Sequence, residues 1–195
     1  MPSDGVRLRT ATPGDVPALH RLVERSARVL SAGYYTPAEI ESAMRHVFGV
    51  DLQLIEDGTY FVAEQDGRIV GAGGWSRRRP LPGGEPRPGG GARALDPARE
   101  AARIRAFFVD PAHARRGIGR RLLQACLEAA GAAGFRRLEL VATLAGEPLY
   151  SACGFSVIKE ELDVLPDGRT LRLVRMGRPL AIEDMPAAAL RLPRG

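Results

Sequence analysis

Between Ile104 and Arg121 the chain reads I-R-A-F-F-V-D-P-A-H-A-R-R-G-I-G-R-R, and this stretch constrains the fold more than any other. Ile104, Ala106 and Phe108 alternate with their neighbours and run into Phe107-Phe108-Val109, the pattern of a strand buried on at least one face and stopped by Asp110-Pro111. From Ile118 the apolar residues switch to helical spacing, through Leu122, Cys126, Ala129 and Ala133. A strand therefore feeds a helix through a short basic loop ending in Gly117-Ile118-Gly119. The start of such a helix aims unpaired backbone N–H groups and the positive end of its dipole at one point, and glycines there let phosphates reach the main chain.

Three phosphate-cradling motifs compete for this loop. A P-loop needs a lysine after its glycines, and none follows. A dinucleotide fingerprint needs a third glycine where Leu122 stands. The remaining pattern, R-R-G-I-G-R-R-L-L after a strand ending V-D-P, resembles the acyl-CoA motif of the GNAT N-acetyltransferases, Q/R-x-x-G-x-G/A, with the first position of that motif falling on Ala114. A second match lies about thirty residues on, where Tyr150 precedes Gly154-Phe155 by four residues, the recurrent end-of-helix motif of the same family. The resemblance spans roughly residues 6 to 177. It implies an α/β (α+β) fold, a mixed, twisted central sheet of about six to seven strands flanked by about four helices. It also implies acetyl-CoA as cosubstrate, held by Phe107, Phe108, Val109, Arg115, Arg116, Gly117, Ile118, Gly119 and Arg120.

The rest of the chain fits that frame. Val6 to Arg9 alternates as a first strand. Thr12-Pro13-Gly14-Asp15 and Thr36-Pro37-Ala38-Glu39 are capping boxes that open two helices with stripes Val16, Leu19, Val23, Ala27, Leu30 and Ile40, Met44, Val47. Residues 59–64 and 68–75 are strands joined by Gln65-Asp66-Gly67, residues 136–143 form the strand after the central helix, and 155–163 with 170–176 form a closing hairpin. The glycine- and proline-rich run 82–91 reads as a mobile excursion, since it offers a core almost nothing to bury. One domain over 1–177 and an appendage over 178–195 are expected.

Composition narrows the function. The net charge is +5, but Lys159 is the only lysine, and the arginines are scattered except around 115–121, where they suit a polyanionic cosubstrate better than nucleic acid. No apolar run is long enough to span a membrane, and Met1-Pro2-Ser3 opens no signal peptide. Cys126 and Cys153 lack metal spacing, so no metal is expected and a reducing cytoplasm fits.

Acetyl transfer from a thioester to an amine needs a polarised carbonyl, a neutral amine and a proton for the leaving thiolate. Backbone N–H groups near Phe108 and Val109 would polarise the carbonyl, and the resemblance assigns the proton to Tyr150. Positions of the fourth strand where many relatives carry an acid hold Arg103 and Arg105; Glu139 on the fifth strand corresponds to a glutamate that some relatives use as base, so the resemblance makes it the candidate base, with a water relay as the other route. Tyr34, Tyr35 and Trp75 are the candidate acceptor-side residues. The expected partner is a small amine, with a protein N-terminus, a non-catalytic acyl-CoA-binding module and a nucleic-acid binder as competing readings, and a homodimer left open.

Overall fold

A computed structural model of the chain describes residues 5–79 and 93–181. The run 82–91 and residues 182–195 therefore lie outside the described residues. Seven strands form one open sheet in the order β1-β2-β3-β4-β5-β7-β6. They are β1 (Arg7–Thr10), β2 (Tyr60–Gln65), β3 (Arg68–Ser76), β4 (Ala102–Val109), β5 (Arg137–Thr143), β6 (Ser156–Val164) and β7 (Thr170–Pro179). Only β4 and β5 run parallel, because α4 (Ile118–Ala132) crosses between them. With α1 (Val16–Leu30), α2 (Pro37–His46), α3 (Leu52–Glu56) and α5 (Glu147–Ala152) the described residues hold five helices. The mixed α/β sheet expected from the sequence is the architecture found.

Two faces of the sheet are covered by different helices. Leu123, Cys126, Leu127 and Ala130 of α4 bury against Ile104, Leu138 and Leu140. The buried stripe of α4 ends on Ala130 and Gly131, one position off the spacing through Ala129 and Ala133 that the sequence suggests. Leu19 and Leu22 of α1 join Leu54 and Ile55 of α3 over Tyr60, Val62 and Ala72 on the opposite face. Full burial of each such side chain contributes roughly 1.5–3 kcal/mol, so these two layers dominate the stability. The five-residue α3 has no sequence periodicity to reveal it; Asp51 starts it by accepting from the Leu54 N–H at 3.3 Å.

Local signals set most element ends. Asp66 and Gly67 both have positive φ, at 50° and 71°, which is what a two-residue hairpin turn requires. Helix α4 stops at Gly134 (φ 88°) with Phe135 N–H on Ala130 O and Gly134 N–H on Gly131 O. Helix α5 stops the same way at Gly154, with Phe155 N–H on Tyr150 O and Gly154 N–H on Ser151 O. Both are Schellman stops, and in the second Tyr150 and Phe155 make the ring contact that accompanies the motif. The last strand continues past the expected boundary at 177: β7 reaches Pro179, and Leu180 N–H bonds Arg136 O.

Strand β4 departs from the simple alternation read in its sequence. Ala106 lies in the left-handed region at φ 54°, and the pairing with β3 jumps from Gly74↔Arg105 to Ala72↔Phe108, so two residues of β4 face one of β3. This bulge inverts the facing. Ala102 and Ile104 point to the α4 layer, whereas Ala106 and Phe108 point to the α1 layer and Phe107 takes the α4 side. The buried Tyr60 hydroxyl donates to Ala106 O at 3.1 Å and pins the bulge.

Several carboxylates fasten the periphery and predict the acid response. Asp15 is held below the usual carboxylate range chiefly by its two 2.8 Å bonds from Arg9, Asp57 by Arg78, and Asp167 by the Ser42 hydroxyl and then Arg169. A depressed folded-state pKa contributes stability above the unfolded value of about 4, lost as pH falls through the folded value. The melting temperature should therefore hold steady above about pH 5 and drop progressively below about pH 4, as calorimetry across that range would record.

Candidate active site

The parallel pairing of β4 and β5 is brief. Ala102 faces Leu138 and Arg103 faces Glu139, and there the pairing ends, while β4 continues along β3 and β5 along β7. Strands that part in this way leave main chain without a partner inside the sheet. The opening is a cleft of about 1660 Å³ that runs from the N-terminus of α4, past the wedge, to the segment 45–51 and the inner part of β6. A single small-molecule site occupies about 300–1,000 Å³, so this cleft has room for two ligands meeting at the wedge.

One half of the cleft is built for an anion. Asp110 ends β4, accepts from the Ala112 N–H at 2.9 Å and pairs with Arg25 of α1 at 3.0 Å, which fixes the loop entry. Arg115 (φ 63°) and Gly117 (φ 82°) then take left-handed conformations before α4 begins. The first helical bond runs from Arg121 N–H to Gly117 O, so the N–H groups of Ile118, Gly119 and Arg120 precede the ladder and point out of the helix start. A Cβ on Gly117 would meet nothing within 4 Å, so the space above the loop is open. At Gly119 a Cβ would stand 2.9 Å from Leu149 Cδ2, so this glycine serves the packing of α5 on α4. Arg115 and Arg120 line the cleft and Arg116 does not. The residues present fit a pyrophosphate held by main-chain N–H groups with arginine support.

At the wedge sit Phe107, Phe108, Val109 and Tyr150. The Val109 N–H is already bonded to Ser26 Oγ of α1 at 3.2 Å, a contact between distant residues that nothing local in the sequence announces. Tyr150 is 7% exposed, edge-on to Phe107 and Phe155 at 6.0 and 5.9 Å, and burial pushes its phenol above the usual range. Its hydroxyl makes no hydrogen bond among the described residues. The same burial raises the thiol of Cys126 in the adjoining core.

The other half of the cleft is charged and ion-paired. Glu139 pairs with Arg103 through one carboxylate oxygen, with Arg175 3.8 Å from the same atom. Arg175 also binds Glu161 at 2.8 Å, which Lys159 approaches to 3.1 Å, and Arg105 is held by Asp51 at 2.9 Å. Phe48 packs edge-on against Phe108 at 6.1 Å and brings the segment after α2 over the floor.

The three aromatic acceptor-side candidates part company. Tyr34 is 51% exposed and lines the cleft. Tyr35 is buried: its hydroxyl donates to Arg172 O at 2.6 Å and accepts from Leu144 N–H at 2.8 Å, tying the α1–α2 turn to β7 and to the loop after β5. Trp75 lies in the core edge-on to Phe135 at 5.9 Å, on the α4 side and outside the cleft lining. Tyr35 and Trp75 thus belong to the core and do not line the cleft. The ionic residues Arg103, Arg105, Asp51 and Arg175 were not among the sequence candidates; the arginines of β4 were visible only as basic residues on that strand, and Asp51 and Arg175 carry no local signal.

Comparison with known proteins agrees with this geometry. The family model for the acetyltransferase (GNAT) family matches residues 23–155, so the chain belongs to that family. Among solved structures, a GCN5-related N-acetyltransferase from Rhodopseudomonas palustris superposes with a TM-score of 0.67 at 18% identity, covering 92% of this chain and 99% of that one. The PaiA N-acetyltransferase from Thermoplasma acidophilum, solved in complex with coenzyme A, gives 0.62 at 16% identity over 89% and 98%. The ribosomal-protein-S18-alanine N-acetyltransferase from Escherichia coli gives 0.57 at 17% over 91% and 95%. These likenesses establish the fold. No curated protein matches the chain by sequence. Among the described residues, no helix is long and apolar enough to cross a membrane and no cluster of three or more metal-ligating side chains occurs.

Proposed function

We propose that the protein is an acetyl-CoA-dependent N-acetyltransferase acting on a primary amine of a small molecule. The observation that carries this reading is the parting of β4 and β5 after Arg103↔Glu139, with a phosphate-ready helix start on one side and Tyr150 at the wedge. The coenzyme's pyrophosphate rests on the N–H groups of Ile118, Gly119 and Arg120, with Arg115 and Arg120 beside it, and its thioester reaches the wedge. Main-chain N–H groups at the β4 bulge polarise the carbonyl. The acceptor's ammonium first gives a proton to water; the neutral amine nitrogen then attacks the carbonyl carbon as its next proton passes to Glu139, directly or through water, and from there to solvent. The carbon–sulfur bond then breaks, Tyr150 protonates the departing thiolate, and solvent returns a proton to the phenol.

Two features support the finer parts of the reading. Ion pairs linking β4, β5, β7 and β6 cross the acceptor half, which suits a compact charged amine better than an extended peptide. Cys126 and Cys153 are both free thiols, which fits a reducing cytoplasm. Incubation with acetyl-CoA and panels of amines, read by free-thiol release, tests the proposal. Amine-dependent release is expected; coenzyme binding with no release from any amine would leave an acyl-CoA-binding module instead.

A further inference from the structure

We infer that the acceptor is a zwitterion, an amine bearing a carboxylate on the neighbouring carbon as in an α-amino acid, and that Arg103 is the residue that selects the carboxylate. The inference rests on the transferase reading above. Arg103 and Glu139 are register partners on the last rung before β4 and β5 part, so a cation and an anion stand side by side where the acyl group would arrive. Both line the cleft, and each side chain is a little over a quarter exposed, 28% and 29%.

Neither group is saturated. A guanidinium has five donors, and here only Nη1 of Arg103 is engaged, by Glu139; Nη2 makes no hydrogen bond among the described residues, while Nε is buried away from the cleft. Glu139 uses one carboxylate oxygen for both arginines; the other makes no hydrogen bond among the described residues. A simple amine could satisfy Glu139 alone. A zwitterion inserts its ammonium at the open oxygen of Glu139 and its carboxylate at the free donors of Arg103, so both half-buried charges gain a second partner.

The surrounding charges sharpen the choice. Arg105 lies two residues along β4 on the same face and is anchored by Asp51, while Arg175 and Lys159 approach from β7 and β6. Glu161 answers the last two. Glu160 and Asp163 of β6 line the cleft as well, so this half presents both signs of charge, as a ligand carrying both signs requires.

The test compares the twenty common α-amino acids with their matching α-amides. The best amino acid should exceed its own amide in kcat/KM by roughly tenfold or more, as loss of a charge-assisted contact would require. Arg103→Met should bring that ratio to within about twofold of unity, and Arg103→Lys should keep part of it. Acetyl-CoA affinity, measured alongside, reports whether each variant retains its coenzyme site. Equal use of acid and amide by the unaltered protein, or an Arg103→Met ratio that does not change, would overturn the inference while leaving the transferase intact. If no amine of any class releases thiol, the transferase reading fails first. Calorimetry of the coenzyme A-loaded protein then decides the site: tighter binding of acid than amide, lost in Arg103→Met, upholds it, and its absence overturns it.

Discussion

Tyr150→Phe is expected to lower turnover by about ten- to a thousandfold while leaving acetyl-CoA affinity and melting temperature nearly unchanged. Phenylalanine keeps the ring and therefore the edge contacts with Phe107 and Phe155 that make Tyr150 part of the α5 helix stop. Only the hydroxyl is lost, and no hydrogen bond within the described residues goes with it. Burial holds the phenol above its ordinary value, which keeps it protonated but also makes it a weaker acid. No fall in rate from ionisation of this group should appear below about pH 10, the phenol's unperturbed value. A stability loss of about 1 kcal/mol in the variant would instead indicate a lost hydrogen bond. Full activity with phenylalanine, measured on any accepted amine, would make solvent the proton donor.

What the sequence disclosed was what the chain encodes locally. The spacing from Tyr150 to Gly154-Phe155 is legible because a Schellman stop needs a glycine at one position and rewards an apolar pair around it. Asp66-Gly67 and the box Thr36-Glu39 are legible for the same reason, and the latter is formed by Glu39 N–H on Thr36 Oγ1 at 3.3 Å and Thr36 N–H on Glu39 Oε2 at 2.7 Å. The bulge at Ala106 is not, since alanine carries no sign of a left-handed φ; it is imposed by pairing with β3 and by Tyr60, 46 residues away. Tyr35 is a similar case, its hydroxyl held by main chain 109 and 137 residues distant, so its neighbour Tyr34 alone faces the cleft. The Arg103–Glu139 pair exists only through the register of two parallel strands, which composition cannot fix. The half of the cleft proposed for the coenzyme, built from one loop, was therefore more legible in the sequence than the proposed acceptor half, built from four strands.

Gly117→Val should reduce acetyl-CoA affinity by more than about tenfold, because the loop conformation itself supplies the donors. Gly117 sits at φ 82° and ψ 0°, where an L-residue costs about 1–2 kcal/mol and a β-branched one more. The chain can relieve that strain by changing φ at residue 117, which swings the preceding loop relative to the N–H groups of Ile118, Gly119 and Arg120 and breaks up the cradle. If the loop holds instead, the side chain projects into the open space above it, since no neighbour lies within 4 Å of the new Cβ. Either way the phosphate site is lost, while no core contact is disturbed. Gly119→Ala is the informative contrast: its Cβ meets Leu149 Cδ2, a movable side-chain end one residue before Tyr150, so its effect should fall more on turnover than on coenzyme binding. Calorimetry on both folded variants separates the two glycines. Unchanged acetyl-CoA affinity in Gly117→Val would remove the start of α4 from the coenzyme site, and with it the orientation that brings the thioester to Tyr150.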